Sequence, residues 1–340
     1  MLRGVPSELL PLPPVERVRP GLWSIPVPIP NNPLRYVLVY AFETDAGPYL
    51  VDAGWNTDDA FQVLCQGLTT AGFDIAGVQG VLVTHIHPDH YGLANRIRET
   101  SGAWVALHPA DAELIHDRYE EPDDLLDKVA TALRRAGAPD DELSPLQRAS
   151  MPVLQFVATG RPDVLLEDGD KPEVPGWDLL AIWTPGHSPG HLCFYEGGYQ
   201  LMLSGDHVLP RITPNISVHP QAMSNPLGDY LASLDKVGGY DAQEVLPAHE
   251  HRFVSLGARV AQLKAHHEQR FTEVIEAVRQ GDDTAWAIAS HMQWSRPWER
   301  IDGFMRRAAV GEAVAHLRAL EERGLLRAVD GEPVRWQLVS

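Results

Sequence analysis

The stretch Thr84-His85-Ile86-His87-Pro88-Asp89-His90 places three imidazoles and one carboxylate within six positions. It directly follows residues 81–83, a short apolar run of the kind a fully buried strand shows. In an extended segment, side chains two apart point the same way, so His85 and His87 can grip one ion. If the chain then turns into a helix, Asp89 and His90 fall in its first turn and aim at the same mouth. Four ligands in so short a segment exceed what one tetrahedral ion usually takes, and two adjacent ions account for them better. Imidazole nitrogens suit zinc, iron or manganese. The alternative is a histidine-rich loop without metal, which would have to find other partners for these groups at a strand end, a costly requirement if they are buried.

Two ions need more ligands, and three further segments supply candidates. Thr184-Pro185-Gly186-His187-Ser188-Pro189-Gly190-His191 follows an expected strand at 179–183. Ser204-Gly205-Asp206-His207 follows one at 201–203, and Pro247-Ala248-His249-Glu250-His251 follows one at 244–246. Each candidate lies just past a strand end, where α/β folds place their sites.

The order HxHxDH, then PGH, then GD, then a late histidine resembles the metallo-β-lactamase superfamily over roughly residues 20–255. The resemblance implies an αββα sandwich with two divalent metal ions, expected to be zinc, at one edge. It implies that His85, His87 and His187 take the first ion, that Asp89, His90 and His249 take the second, and that Asp206 bridges both. Asp52, in Val51-Asp52-Ala53-Gly54, matches the family's buried aspartate, which orients ligands from behind. His249 stands in Pro-Ala-His where the family usually has Pro-Gly-His, and His251 is its rival two residues on. The main subclass of zinc β-lactamases has a cysteine where Asp206 stands. The aspartate implies a bridged pair of ions, as in glyoxalase II-like thioesterases, lactonases and related nucleases. The activity so implied is hydrolysis: paired cations acidify a shared water, whose hydroxide attacks a carbonyl or phosphoryl centre, with Asp89 positioning it or moving a proton. Of the other histidines, His191 and His207 read as structural supports, His108 as a hydrogen-bonded loop residue, and His219 as a loop residue within reach of substrate. His116, His266, His267, His291 and His316 fall in helical stretches and read as surface or core residues.

The elements that must position these groups alternate between strand and helix. Residues 36–42 and 49–51 are runs of β-formers around a Thr44-Asp45-Ala46-Gly47 turn. Residues 58–68 have helical spacing, with Phe61, Leu64, Cys65 and Leu68 on one face, and 104–107 is the next strand. The alternation predicts an α/β layered fold. Residues 1–34 are proline-rich, and 25–30 is expected to be an edge segment or loop, because each proline removes a ladder donor. A helical insertion is expected at about 110–165. From about 255 helices dominate: one stripe runs through Val260, Leu263, Phe271 and Val274, and another through Val310, Val314, Leu317 and Leu320, stopping at Gly324. Two strands around Asp330-Gly331 complete the outline of a winged helix, so the expected division is a catalytic domain at 1–255 and a winged-helix-like domain at 256–340.

Composition narrows the function. With 340 residues, 44% hydrophobic and 22% charged, the chain can bury one large core and an appendage. A formal net charge of -18 disfavours a mainly electrostatic nucleic-acid binder. From residue 286 onward eight arginines face seven acids, too weak a balance for a nucleic-acid reader, so a packing or homodimerising role is expected of the tail. The two cysteines, Cys65 and Cys193, make no disulfide scaffold. The N-terminal stretch has no signal-peptide core, and no segment approaches the roughly 18 apolar residues of a membrane span, which predicts a cytoplasmic protein without a membrane partner. The insertion and the loops at 26–33 and 208–226 are apolar and proline-rich, with Trp23, Leu34, Ile212 and Met223 as candidate walls for a small apolar substrate. The favoured reading is an ester, thioester or lactone hydrolase. A nuclease or phosphodiesterase of the same superfamily is the alternative, and a non-catalytic metal-binding module the third.

Overall fold

Strand β3 (Tyr36–Phe42) is apolar on both faces, which requires a layer on each side of it. Leu38, Tyr40 and Phe42 enter one core, and Val37, Val39 and Ala41 enter another. The computed structural model, which describes residues 11–115, 122–149 and 160–339, shows those layers. A seven-stranded sheet runs in chain order: β1 (Glu16–Arg19), β2 (Leu22–Pro28), β3, β4 (Tyr49–Val51), β5 (Gly80–Leu82), β6 (Trp104–Leu107) and β7 (Val164–Leu165). The pairs up to β3–β4 are antiparallel and those from β4–β5 onward are parallel. A second sheet has the order β11 (Glu244–Pro247), β10 (Leu201–Gly205), β9 (Leu192–Glu196), β8 (Leu179–Trp183).

The two sheets share a core in which Leu38, Tyr40 and Leu82 meet Ala181, Phe194 and Leu203. Helices α1 (Asp58–Thr70) and α3 (Ala94–Ser101) cover the other face of the first sheet through Leu64, Leu68 and Ile97. Between β5 and α3 lies the single turn α2 (Pro88–Tyr91), and α4 (Pro109–Ala112) follows β6. Helices α5 (Pro122–Ala136) and α6 (Asp140–Gln147) form the described part of the insertion and bury Val129, Leu133 and Leu146 together. The second sheet is covered by α7 (Pro226–Gly238), α8 (Leu256–Arg279), α9 (Ala285–His291) and α10 (Gly303–Glu322), followed by the antiparallel hairpin β12 (Leu326–Val329) and β13 (Arg335–Leu338). The architecture is therefore an αββα sandwich.

Several details differ from the sequence reading. Where the prolines predict an edge segment or loop, β1 and β2 form, and β2 pairs with β3 over its whole length. The prolines are accommodated because β1 covers only Leu22, Trp23 and Ser24, so Pro26 and Pro28 lie where β2 is an open edge. Helix α7 was not anticipated, although its start carries a signature, with the Asn225 side chain accepting from Gly228 N–H at 3.0 Å and Pro226 in the first turn. The outer face of the second sheet carries one apolar cluster that includes Val245, Tyr230, Leu234, Phe271 and Leu317. Gly324, at φ +70, ends α10 as expected. His116 and parts of the insertion lie outside the described residues. Among the described residues, no helix is long and apolar enough to cross a membrane.

Candidate metal centre

Four strand ends converge at one edge of the sandwich. After β5 the chain bends through Thr84 and Ile86 to His87, whose backbone is extended and which precedes α2, and Pro88 opens that turn with its fixed φ. Asp89 and His90 therefore sit in the first helical turn. His187 follows β8 through Gly186, whose φ of +137 lets the loop pass against Tyr230 of α7. Asp206 follows β10 through Gly205 at φ +50, and His249 follows β11.

The structure brings these residues together in two groups. His85 Nε2 lies 2.9 Å from His87 Nδ1, which is 3.0 Å from His187 Nε2. On the other side, His249 Nε2 lies 3.3 Å from Asp89 Oδ2, and His90 Nε2 lies 3.6 Å from the same oxygen. Asp206 stands between the groups: its Oδ2 is 3.4 Å from His187 Nε2, while its Oδ1 is 3.2 Å from His249 Nε2 and 3.6 Å from His90 Nε2. Ligands of one tetrahedral ion with bonds of about 2.0–2.1 Å stand about 3.3 Å apart, close to this spacing. Ligand atoms within each of the triples His85/His87/His187, His85/His90/Asp206 and Asp89/His90/His249 lie within 4.8 Å of one another.

The imidazoles are turned toward a shared centre by what holds their far sides. His90 Nδ1 donates to Asp52 Oδ2 at 2.8 Å, His187 Nδ1 to the Asn215 carbonyl at 2.9 Å, and His249 Nδ1 to the Tyr36 carbonyl at 2.9 Å. Each acceptor fixes the proton on Nδ1 and leaves Nε2 to face inward. Asp52, itself at φ +64, also accepts from the amide and hydroxyl of Thr84 at 2.8 and 2.9 Å, and the Thr84 hydroxyl lies 3.0 Å from His85 Nδ1. His191 lies below Asp206, its Nε2 accepting from the Asp206 amide at 3.1 Å. A further buried carboxylate, Asp111, bonds to the loops on both sides of the first group.

Charge makes the site a cation trap. Asp52, Asp89 and Asp206 are all buried. Burial pulls the His90 and His249 imidazoles down, but the surrounding carboxylates outweigh it, taking His90 up to about 9 and His249 well above its ordinary range. Burial, reinforced by His90 and His87, holds His85 well below that range, and burial also lowers His187. Burial raises Asp206, yet His249 and His90 draw it well below the ordinary carboxylate range. The chain thus sets the neutral imidazoles of His85 and His187 beside three buried carboxylates whose charge the raised imidazoles of His90 and His249 offset in the absence of an ion, a role that bound cations would take over. His90 Nε2, His249 Nε2 and Asp206 Oδ1 are buried without a well-aligned hydrogen bond, although the closest of them approach to 3.2 Å. These observations fit a site built for divalent ions.

The other sequence candidates divide. His251 is exposed, whereas His249 is fully buried within the group. His207 is buried edge-on against Tyr230, and burial lowers it to about 3. His108 caps α4 by accepting from Ala110 N–H at 3.1 Å and stacks on Trp183. His267 and His316 are buried in the C-terminal helices, 3.2 Å apart. Trp23 is not a wall of the site: it packs half-buried against the core under α1, with the Arg17 guanidinium over its ring. Ile212 is 37% exposed, with its amide bonded to Glu250, the residue after His249. Sequence reasoning missed Thr84, although it stands in the motif itself, and Asp111, whose signal is that it too follows a strand end. It also missed the Asn215 and Tyr36 carbonyls, for which a main-chain role leaves no trace in residue type.

Residues 32–249 match the family described as the metallo-beta-lactamase superfamily. The chain is similar to the crystal structure of a metallo-beta-lactamase family protein from Thermus thermophilus, at 30% identity and a TM-score of 0.81, covering 95% of this chain and 100% of that one. It is 25% identical over 281 residues to the lactamase-like protein adaB of Aspergillus niger, covering 82% of this chain and 70% of that protein. It is 23% identical over 292 residues to the atrochrysone carboxyl ACP thioesterase dmxR1 of a Cryptosporiopsis species, covering 85% of this chain and 72% of that protein.

Proposed function

The chain belongs to the metallo-beta-lactamase superfamily, and from that premise we propose that it is a metal-dependent hydrolase acting at two adjacent ions on the ester, thioester or lactone carbonyl of a small apolar substrate. The observation that carries this reading is the posture of Asp206, whose two oxygens face different groups, His187 on one side and His90 with His249 on the other. In this reading His85, His87 and His187 hold one ion, Asp89, His90 and His249 hold the other, and Asp206 spans both. A donor set of imidazole and carboxylate without thiolate suits zinc, with iron or manganese as alternatives. The chemistry that such ions supply when bound is the acidification of a water and the polarisation of a carbonyl.

The protein's own part is geometric and electrostatic. Asp52, Tyr36 and Asn215 hold the ligand rings in one tautomer. His85, His90 and His249 are fully buried, while His87 and His187 are half-buried and Asp89 and Asp206 keep 12% and 11% of their side chains exposed, so the site opens to substrate over these four residues. Burial raises the Asp89 carboxyl, but His90 and His249 bring it below its ordinary value, so it is ionised at neutral pH and accepts a hydrogen bond from the attacking water. Ile212, whose amide bonds to Glu250 beside His249, offers an exposed apolar side chain for such a substrate. The resemblance to a protein named as a thioesterase supports an acyl substrate, and the acidic chain supports a small molecule over a nucleic acid. The free thiols Cys65 and Cys193 support a reducing, cytoplasmic setting.

A panel of thioester, lactone, ester, β-lactam and phosphodiester substrates, run with zinc-, iron- and manganese-loaded protein, tests the proposal. Turnover is expected on the carbonyl substrates and should vanish, together with bound metal, in His85→Ala and Asp206→Ala. Turnover confined to phosphodiesters, or retained by metal-stripped protein, would refute it.

A further inference from the structure

Outside the proposed ligands, one buried carboxylate bonds to both loops that carry the first group. We propose that Asp111 is a positioning residue of the paired-ion centre, locking the loop of His85 and His87 to the loop of His187. The proposal rests on the metal-dependent reading above. Asp111 is fully buried in α4, just past the end of β6, and its backbone is held by the cap that His108 provides. Its Oδ2 accepts from the amide of Ile86, the residue between the two ligands His85 and His87, at 2.9 Å. The same oxygen accepts from the hydroxyl of Ser188, the residue after His187, at 2.8 Å. Its Oδ1 accepts from the Gly190 amide at 2.7 Å.

These bonds join parts that the covalent chain leaves independent. Ile86 follows β5 of the seven-stranded sheet, whereas Ser188 and Gly190 follow β8 of the four-stranded sheet. The distance from His87 Nδ1 to His187 Nε2, 3.0 Å, is therefore set across the gap between two sheets. Packing of apolar faces fixes sheet separation but is non-directional. Directional bonds from one shared acceptor fix the relative placement of the loops, which an ion held by both would need. Close approach is built in as well: a Cβ on Gly190 would lie 2.6 Å from the Asp111 nitrogen and 2.7 Å from its Cβ. A buried carboxylate is a costly way to stabilise a fold compared with apolar packing. Its placement between two ligand loops gives that cost a purpose. Asp52 supports the other half of the site through His90, and through Thr84 it also reaches His85 of the first half, whereas Asp111 is bonded to the first half alone.

Asp111→Asn preserves the side-chain volume but makes one terminal atom a donor. However the amide turns, an NH2 group then faces the Gly190 N–H or the Ile86 N–H. The test is stepwise cobalt and zinc binding to metal-free protein in competition with a chelator, with His87→Ala and His249→Ala assigning each step to its cluster. Asp111→Asn should weaken binding at the His85/His87/His187 cluster by about 10–100-fold, the range typical of residues that orient metal ligands, and leave the other step within a few-fold of wild type. Its cobalt absorption spectrum should change at the first step alone. Ser188→Ala, which removes one of the donors, should show the same selective loss on a smaller scale, and it decides the matter if Asp111→Asn does not fold. Wild-type affinity at the first cluster, or an equal loss at both, would overturn the role assigned to Asp111 while leaving the hydrolase reading intact. A wild-type protein that takes up no ions would overturn both.

Discussion

Replacing Gly186 by alanine tests whether the PGH loop is held in place by contact with α7. An alanine Cβ at this position would lie 2.5 Å from the Tyr230 Cβ and 2.7 Å from its Cα. Carbon atoms in contact prefer about 3.5–4.0 Å, so the loop or the helix must move by about 1 Å. Helix α7 is the harder to displace, because Tyr230 is fully buried and its hydroxyl bonds to the His207 carbonyl at 3.0 Å. The loop therefore gives way, and His187 moves with it. Metal sites tolerate deviations of only about 0.2 Å in ligand distance, so the first cluster loses its third imidazole. A backbone φ of +137 adds strain for any residue with a Cβ. Strain of about 1–2 kcal/mol and overpacking of about 1–3 kcal/mol together cost about 2–5 kcal/mol. For a chain of this length that lowers the unfolding midpoint by about 3–7 °C. Gly72 provides the control: its φ is +94, and an added Cβ would meet nothing within 4 Å, so Gly72→Ala isolates the backbone strain from the clash. The assay pairs calorimetry of metal-free protein with metal content after dialysis. If Gly186→Ala melts within a degree of Gly72→Ala and holds the wild-type amount of metal, the contact with Tyr230 does not position His187.

Asp52→Asn keeps a residue type that tolerates φ +64 but offers an NH2 where His90 Nδ1 now donates. The imidazole is then pushed into the other tautomer, and chelator competition should show affinity at the Asp89/His90/His249 cluster reduced by about 10–100-fold. Removing metal with a chelator should lower the stability by an amount that grows with free ion, about 2.7 kcal/mol at a hundredfold excess over Kd, and the unfolding midpoint with it; an unchanged midpoint would mean that no ion is bound to the native state. Glu312 of α10 supplies a pH dependence away from the site: burial raises its carboxyl from 4.5 to about 7, against the pull of Arg270. The folded state then holds a proton that the unfolded chain has released, so stability is lost as pH rises from about 4.5 through 7, by about 3 kcal/mol over the full window. Glu312→Gln should flatten that slope in denaturant titrations between pH 5 and 7.5, and an unaltered slope would assign it to other groups.

Much of the architecture was legible because periodicity reports burial directly. The double-sided apolar run at 36–42 marked β3, the strands 49–51 and 179–183 have the bounds read from sequence, and the helix expected at 58–68 extends to Thr70. The stripe ending at Gly324 marked α10. What was misread had a tertiary cause. Proline content argues for an edge segment or loop at 25–30, and an edge is what forms, because a proline lacks only its donor and where β1 stops no partner asks for one; the regular pairing of 22–28 with β3 is what composition does not report. Trp23 is grouped in the sequence with the apolar loop that follows it, whereas in the fold it lies at the end of β2 that pairs with Ala41, far from Tyr36, and packs half-buried against the core under α1.

For the site, the chemistry of the side chains was written in the sequence: residue type and spacing identify groups that bind cations, because a donor atom's affinity is a property of the atom and its near neighbours. Local spacing also implied that His85 and His87 share a face and that Asp89 and His90 open a helix. Only the tertiary structure decided which groups meet. The choice of His249 over exposed His251, the posture of Asp206 between two clusters, and the carbonyls of Tyr36 and Asn215 behind the ligand rings all depend on contacts between segments as much as 213 residues apart. No local pattern encodes such contacts, since they arise when two sheets pack and bring their strand ends to one edge. Asp111 is the clearest case: in the chain it is one acid among 46, and in the fold it lies where two ligand loops need a common acceptor.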